Sequence, residues 1–337
     1  MPNTIVLAKS YVPLLDEVYK KESVTSDLTG DPAMARAGAN VKEIVYPQIA
    51  VTGLGDYDRN SGYTQGTVDF KWASTEYNYD RGAKLSVDAM DNQETYNLAF
   101  SMAGAELMRT KVAPEADAFT FATLAGIAGI SKGEAKKITT ADAFLAELLE
   151  AKNTMDKDEV PEEGRILYAT ANLLNALLMM DSYKSKEILA TFTVKKAVPQ
   201  GRFYTAIDLL DGKSAGEEAG HYRKGTAKYE KTKDLTPVTT KTYYTESGGV
   251  YTPVAGSSAS SGSMSSYYER VQEDAKPINF MIIHKPAIIK HDKHVVSNVI
   301  PASANPDADA DIVKYRKYGL VDVYKNKVAG IYLSHQA

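Results

Sequence analysis

The sequence predicts an α+β fold with a long projecting β-hairpin, a long helix behind it and a small all-β module inserted late in the chain. Three observations carry this. Between Gly53 and Val87, the residues Val68, Phe70 and Trp72 alternate with Thr67, Asp69 and Lys71, the period-two pattern of a strand with two unlike faces. Just beyond, Asp91-Asn92-Gln93-Glu94 has capping-box spacing and opens an apolar stripe at helical spacing. At about Gly212 the composition turns to Gly, Ser, Thr, Lys and Tyr, with almost no Leu or Ile.

In chain order, the first 50 residues read as an arm that needs a neighbour to pack on. They hold one short amphipathic stretch, Tyr11 to Lys21, and a tail punctuated by Gly30-Asp31-Pro32 and Gly38. Lys42 to Ile49 is strand-like but carries Pro47, which places it at an edge. The hairpin follows, with Asp80-Arg81-Gly82 interrupting its return arm. An arm of roughly 15 residues at about 3.3 Å each reaches about 50 Å, farther than its own domain can cover. The helix from residue 91 to about 112 bears Tyr96, Phe100, Ala103 and Leu107 on one stripe and would be roughly 30 Å long. Pro114 should interrupt it before a second piece, Glu115 to Leu124.

Gly126, Gly129 and Gly133 then mark a linker, Thr140 to Asp156 a helix, Val160 to Tyr168 a turn and buried strand, and Ala171 to Met180 an apolar helix. Inside the tyrosine-rich stretch, Lys241-Thr242-Tyr243-Tyr244-Thr245-Glu246 resembles Ser265-Ser266-Tyr267-Tyr268-Glu269-Arg270, and Ser257 to Ser266 reads as a flexible loop. The parent pattern resumes with Ile278, Phe280, Met281, Ile282 and Ile283. Strand-like segments around Ile312–Tyr315, Gly319–Tyr324 and Val328–Leu333 close the chain, expected to pair with each other and with the hairpin base.

The totals narrow the function. The chain has 337 residues, 44% of them hydrophobic, enough for a sizeable core. A net charge of -4 gives no basic face for tracking phosphates. Cysteine is absent, which removes disulfides, thiolate nucleophiles and Cys-based metal sites. Met1 to Lys9 has too short an apolar run for a signal-peptide core, so a cytosolic protein is expected, with no membrane partner. Tyrosine is abundant, 22 copies against 8 phenylalanines and one tryptophan, which suits either surfaces buried on association or a strand-rich protein with many half-exposed positions.

Sharper motifs fail on their details. Asp307, Asp309 and Asp311 begin like a calcium loop, but Ile312 and Tyr318 stand where glycine and a bidentate Glu are needed; Asp56, Asp58 and Asn60 fail in the same way. His284, His291 and His294 are loosely spaced, and Gly212-Lys213-Ser214 lacks the upstream glycine of a phosphate loop. No catalytic, cofactor or metal residue is therefore assigned.

The order of elements resembles the major capsid proteins of tailed bacteriophages, the Hong Kong 97-type fold. Tyr77 to Asp88 followed by Asp91 to Thr95, Val160 to Tyr168, Ile278 to Lys285 and Tyr318 to Tyr332 are similar to segments of capsid proteins from phages of low-GC Gram-positive bacteria. The resemblance implies an N-terminal arm (1–54), an extended hairpin loop (55–87), a spine helix with the first part of a peripheral domain (88–135), an axial domain in two parts (136–211 and 273–300), a surface-exposed inserted β module (212–272) and closing peripheral strands (301–337). It implies a non-enzymatic shell protein that assembles with itself as hexamers and pentamers around phage double-stranded DNA, without reading its sequence. The expected location is the virion, after assembly in the host cytoplasm.

Further implied partners are a separate scaffolding protein, a portal protein and a decoration protein. Phe70, Trp72, Tyr77, Tyr79, Arg81 and Lys84 are the expected inter-subunit contacts, and Tyr243, Tyr244, Tyr251, Tyr267 and Tyr268 the expected surface of the insert. Lys71, Lys84 and Asn326 are of the types that crosslink some family shells, with no identifiable acid to assist. The alternatives are an encapsulin-like nanocompartment shell and a surface-attachment role for the insert.

Overall fold

A computed structural model describes residues 23–337 apart from 31–35, 38–41, 61, 95–97, 181, 214–219, 249 and 274. The amphipathic stretch Tyr11 to Lys21 and the stripe residue Tyr96 lie outside what is described. In chain order the chain forms β1 (Arg36–Ala37), β2 (Glu43–Val51), β3 (Val68–Glu76), β4 (Tyr79–Asp88), α1 (Ala89–Glu94), α2 (Leu98–Leu107), α3 (Ala113–Gly126), β5 (Ser131–Lys132) and α4 (Ala141–Lys157). There follow β6 (Arg165–Thr170), α5 (Ala171–Met179), α6 (Tyr183–Ala190), β7 (Val194–Val198), β8 (Ile207–Leu209), β9 (Tyr222–Lys224), β10 (Thr226–Lys231), β11 (Thr242–Ser247), β12 (Val250–Ala255) and β13 (Tyr267–Glu273). The chain closes with β14 (Ile278–His284), β15 (Ile288–Ile300), β16 (Ala310–Val323) and β17 (Ile331–His335).

The centre is a sheet of order β5-β17-β14-β6-β7. Every residue of β14 is buried, because the sheet is covered on both faces. Alternation along the strands sends Tyr168, Met281, Ile283 and Leu333 to one side, against Phe121 and Leu124 of α3. It sends Leu167, Phe280, Ile282 and Tyr332 to the other, against Phe144 and Leu148 of α4 and Leu173 of α5. The helices start where their caps dictate: the Thr140 and Ser182 side chains accept from the amides of Ala143 (3.3 Å) and Ser185 (3.1 Å). One expectation is corrected here. The last strand, β17, does not join the other closing segments but pairs with β14 in the central sheet, since Ile331, Tyr332 and Leu333 are apolar on both faces and need a doubly covered position.

A second sheet, β15-β16-β4, is built from long strands. The segments expected around 312–315 and 319–324 are one strand, β16, which pairs with β4 from Asp88 to Tyr79 and with β15 along nearly its whole length. Thus residues 79–88, expected as the hairpin's return arm, belong to this sheet. Gly82 does not break β4: a Cβ there would lie 2.9 Å from the Tyr315 carbonyl, so glycine permits the strands to approach. The helical turn α1 is capped by Asp88, whose carboxylate accepts from the Met90 amide (2.9 Å), not by the expected Asp91. Nor does Pro114 break the helical path. A wide π-type turn, Met108–Val112, precedes it and turns the carbonyls away from the proline ring, so that the path runs from α2 into α3.

Two acids on α3 tie distant segments to this frame. Asp117 is fully buried and accepts from the Ser23 hydroxyl (2.8 Å), the Val24 and Thr25 amides (3.0 and 3.1 Å), the Thr25 hydroxyl (2.7 Å) and Arg202 (2.9 Å). Lys290 donates to the Thr25 carbonyl (3.0 Å) and hydroxyl (2.7 Å), so residues 23–25 are held from two elements. Burial, with Lys317 second, holds the Lys290 pKa down at about 8 against the pull of Asp117 and Asp292.

Asp117→Ala should cost about 3–5 kcal/mol in chemical denaturation, because it takes the buried carboxylate away from Arg202 and from the donors of residues 23–25. The sign for Lys290 is opposite to that of a paired lysine. Between pH of about 8 and 10.5 the unfolded chain holds a proton that the folded chain releases, so this group makes stability rise with pH across that window. Urea midpoints of the wild type minus those of Lys290→Met should climb through the window; a flat difference would show that Lys290 does not titrate there.

Candidate interaction surface

β2 and β3 form an antiparallel ribbon that leaves the body. Glu43 pairs with Glu76 at its root, and the register runs through Tyr46 with Ala73, Pro47 with Trp72 and Ile49 with Phe70 to Val51 with Val68. The hairpin is therefore residues 43–76, with its outgoing arm in the Pro47-containing segment rather than beyond Gly53. β1 pairs with the outer side of β2 at Ile44 and Val45, and Pro47 lies beyond that pairing, where β2 is an edge and a missing donor is tolerated.

The two faces of the ribbon differ. On one face Ile44, Tyr46 and Ala73 are buried at the root against Ile289 and Leu320, with Tyr46 edge-on to Tyr324 (ring centroids 5.0 Å apart). The Thr75 hydroxyl, on the same face, donates to Asp322. Farther out, this anchored face turns polar, with Gln48 opposite Lys71 and Ala50 opposite Asp69, and Lys71 pairing with Asp69 at 2.6 Å. The opposite face carries the apolar ladder: Ile49, Val51, Val68, Phe70 and Trp72 are 50–68% exposed. Phe70 and Trp72 meet edge to face at 5.6 Å. At the tip, a small turn closed by reciprocal Asp58–Gly62 backbone bonds presents Tyr57 and Tyr63, and Leu54 is fully exposed. The ribbon is thus attached by one face at its root and carries half-exposed apolar residues on the other.

The structure separates the predicted contact residues. Phe70 and Trp72 are on the ladder, and Lys84 is exposed on β4 opposite Lys314. Tyr77 stacks on Tyr318 (4.8 Å) with Lys293 over its ring. Tyr79 and Arg81 are corrected: both face inward to the buried Glu115, which accepts from the Tyr79 hydroxyl (3.1 Å) and from two Arg81 nitrogens (2.7 and 3.1 Å). Burial first, and the nearby Glu115 second, push the Tyr79 phenol far above its usual range. Sequence reasoning missed Glu115 and Asp117. The available signal was two acids within an otherwise apolar helical run, Ala113 to Ala125, where a charge must find a buried partner.

Residues 226–273 form their own antiparallel sheet, β10-β13-β11-β12. The expectation of a tyrosine surface there is corrected for two residues: Tyr243 is fully buried, donating to Asp234 (2.7 Å) and accepting from the Val238 amide (2.9 Å), and Tyr244 is 5% exposed. Tyr251, Tyr267 and Tyr268 are half-buried. Tyr251 stacks on Tyr229 at 4.0 Å although their strands are opposite edges of the sheet, which on a flat sheet would stand about 14 Å apart. The sheet therefore curls around Tyr229, Tyr244, Tyr251 and Tyr268, and tyrosine supplies the core that Leu and Ile supply elsewhere. Ser257 to Ser266 is not an open loop but two short 3-10 turns that bury Met264.

His284 is buried, and desolvation lowers its pKa; His291 and His294 lie along β15. Among the described residues no three His, Cys, Asp or Glu side chains gather as metal ligands. No helix among them is long and apolar enough to cross a membrane.

No family model matches the sequence, and no curated protein matches it. The fold does have solved counterparts. The chain is similar to the capsid structure of the cyanophage P-SCSP1u, at 10% identity over 98% of this chain and 93% of that one, with a TM-score of 0.54. It is also similar to the mature capsid of bacteriophage PhiM1, at 10% identity over 98% and 92% with a TM-score of 0.53. A third likeness is to the capsid of Myoviridae phage XM1, at 8% identity over 100% of both chains with a TM-score of 0.50. The chain therefore has a mixed α/β fold with several sheets, of the kind seen in phage capsid structures.

Because Phe70 and Trp72 are half-exposed, Phe70→Ser with Trp72→Ser should leave the urea midpoint of the isolated chain unchanged within about 0.5 kcal/mol. A loss of several kcal/mol would place the ladder in an intramolecular core.

Proposed function

We propose that this protein is the major shell subunit of a tailed-phage head with the Hong Kong 97-type fold, and that it acts by assembling with copies of itself. The observation that carries the reading is the two-faced ribbon: its anchored face is satisfied by its own body, and its apolar ladder lies open along the whole projecting length. A closed shell of identical subunits covers that ladder for every copy at once. The extent of the likeness to capsid structures, nearly the full length of both chains, supports the same reading.

In this reading the ribbon is the extended loop, and the helical path from α1 to α3 is the spine. The central sheet with α4 and α5 forms the axial domain, the β15-β16-β4 sheet the peripheral domain, and residues 212–272 an outward module. Subunits cluster as hexamers and pentamers, with a scaffolding protein, a portal and a decoration protein as partners. DNA is enclosed, not gripped: the net charge of -4 supplies no phosphate-tracking face. Contacts of mM strength, about -4 kcal/mol each, suffice when each subunit makes several together, and they allow misplaced subunits to leave before the shell closes.

A nanocompartment shell with the same fold is the second reading, and the contents of the particles separate the two. Electron microscopy of the purified protein should show uniform icosahedral particles. Replacing residues 47–72 by a two-residue turn between Tyr46 and Ala73 should leave a folded subunit that forms none, because the apolar ladder is removed while the anchored root stays. Normal particles from that deletion would refute the role assigned to the ribbon.

A further inference from the structure

The β15-β16-β4 sheet has a second surface that the described residues leave open. β15 is an edge strand, and no strand among the described residues pairs with its outer side. Its first residues, Ile288 to Lys290, are buried, but from Lys293 to Val299 every residue is exposed, on both faces of the sheet. Val295, Val296 and Val299 are 52%, 36% and 55% exposed. The only irregularity of its pairing with β16 falls at Asp292/His294, so the outer half is regular, without bulge or proline. Natural proteins avoid such an edge or pair it, because its row of free amides and carbonyls is a template for another strand.

We infer that the Lys293–Ile300 edge pairs antiparallel with the same edge of a second copy across a two-fold axis, joining two three-stranded sheets into one of six. The sequence is self-complementary in that arrangement. Centred on Val296, it sets Val296 against Val296, Val295 against Ser297, His294 against Asn298 and Lys293 against Val299, so that no like charges oppose and Val296 meets its own copy. A two-fold contact of this kind is isologous and closes on itself, which explains why an edge so open need not propagate into fibres. The inference rests on the shell reading for its second copy but uses a surface distinct from the ribbon.

The chain has no cysteine, so engineered thiols report the register without background. Opposed residues in an antiparallel pair lie about 4.5–5.5 Å apart, within disulfide range, whereas two Val299 positions in this register lie roughly 20 Å apart. Under mild oxidation of assembled material, Val296→Cys should run mostly as a dimer on a non-reducing gel and Val299→Cys as a monomer. A mixture of Lys293→Cys and Val299→Cys subunits should also give the dimer, and this pair carries the test if Val296→Cys fails to fold. Particles that form normally while both designs stay monomeric would overturn the edge pairing and leave the shell reading standing. Dimers without particles would support the edge and count against the shell. Val299→Cys dimers as abundant as those of Val296→Cys would overturn the register.

Discussion

A two-stranded ribbon has no core. Its stability must come from whatever lies against it, and among the described residues the buried contacts are at the root of one face, with β1 paired along the edge of the same root. Tyr46 against Tyr324, Ala73 over Leu320, and the Thr75–Asp322 bond hold the base, while the ladder from Ile49 to Trp72 stays in water. Each such side chain gains on the order of 1.5–3 kcal/mol when fully covered. The chain thus holds half-exposed apolar surface away from its buried clusters, and the function proposed for it depends on where that surface is held and how firmly.

The firmness comes from buried polar anchors more than from extra apolar packing. Glu115 grips Tyr79 and Arg81 of β4 and so fixes the strand that follows the ribbon; Asp117, two residues on, grips residues 23–25 and Arg202. Both acids stand on the helix that covers the central sheet, so ribbon root, N-terminal segment and core share one rigid support. A hydrophobic contact tolerates sliding, but a carboxylate that accepts several hydrogen bonds tolerates one geometry. If the ribbon meets another copy as proposed, angular precision at its base decides whether those distant surfaces fit.

Much of this was legible in the sequence where one face of an element is buried and the other is not. The alternation at Val68, Phe70 and Trp72 announced a strand of unlike faces, and the run Ile278 to Ile283 announced a doubly covered one. Partners were not legible, because alternation reports a face and is silent on who covers it. Tyr79 and Arg81 continue the ribbon's pattern yet pair with β16 and Glu115, residues far away in the chain. The open edge of β15 was not legible for the opposite reason: from Lys293 to Val299 neither face is buried, so its residues carry no period. The tyrosines of 226–273 were read as surface because Tyr is amphipathic; the curl of the sheet, which turns them into a core, is a tertiary fact. Glu115 and Asp117 left one faint trace, charge inside an apolar helix.

The chain's single tryptophan, Trp72, sits half-exposed in the middle of the ladder, so its fluorescence reads the central claim directly. In dilute, unassembled protein its emission should be red-shifted and open to iodide quenching. On assembly it should move to the blue and become protected, because another copy covers the ladder. A tryptophan already blue and protected in the isolated subunit, or still open to iodide in finished particles, would contradict the account.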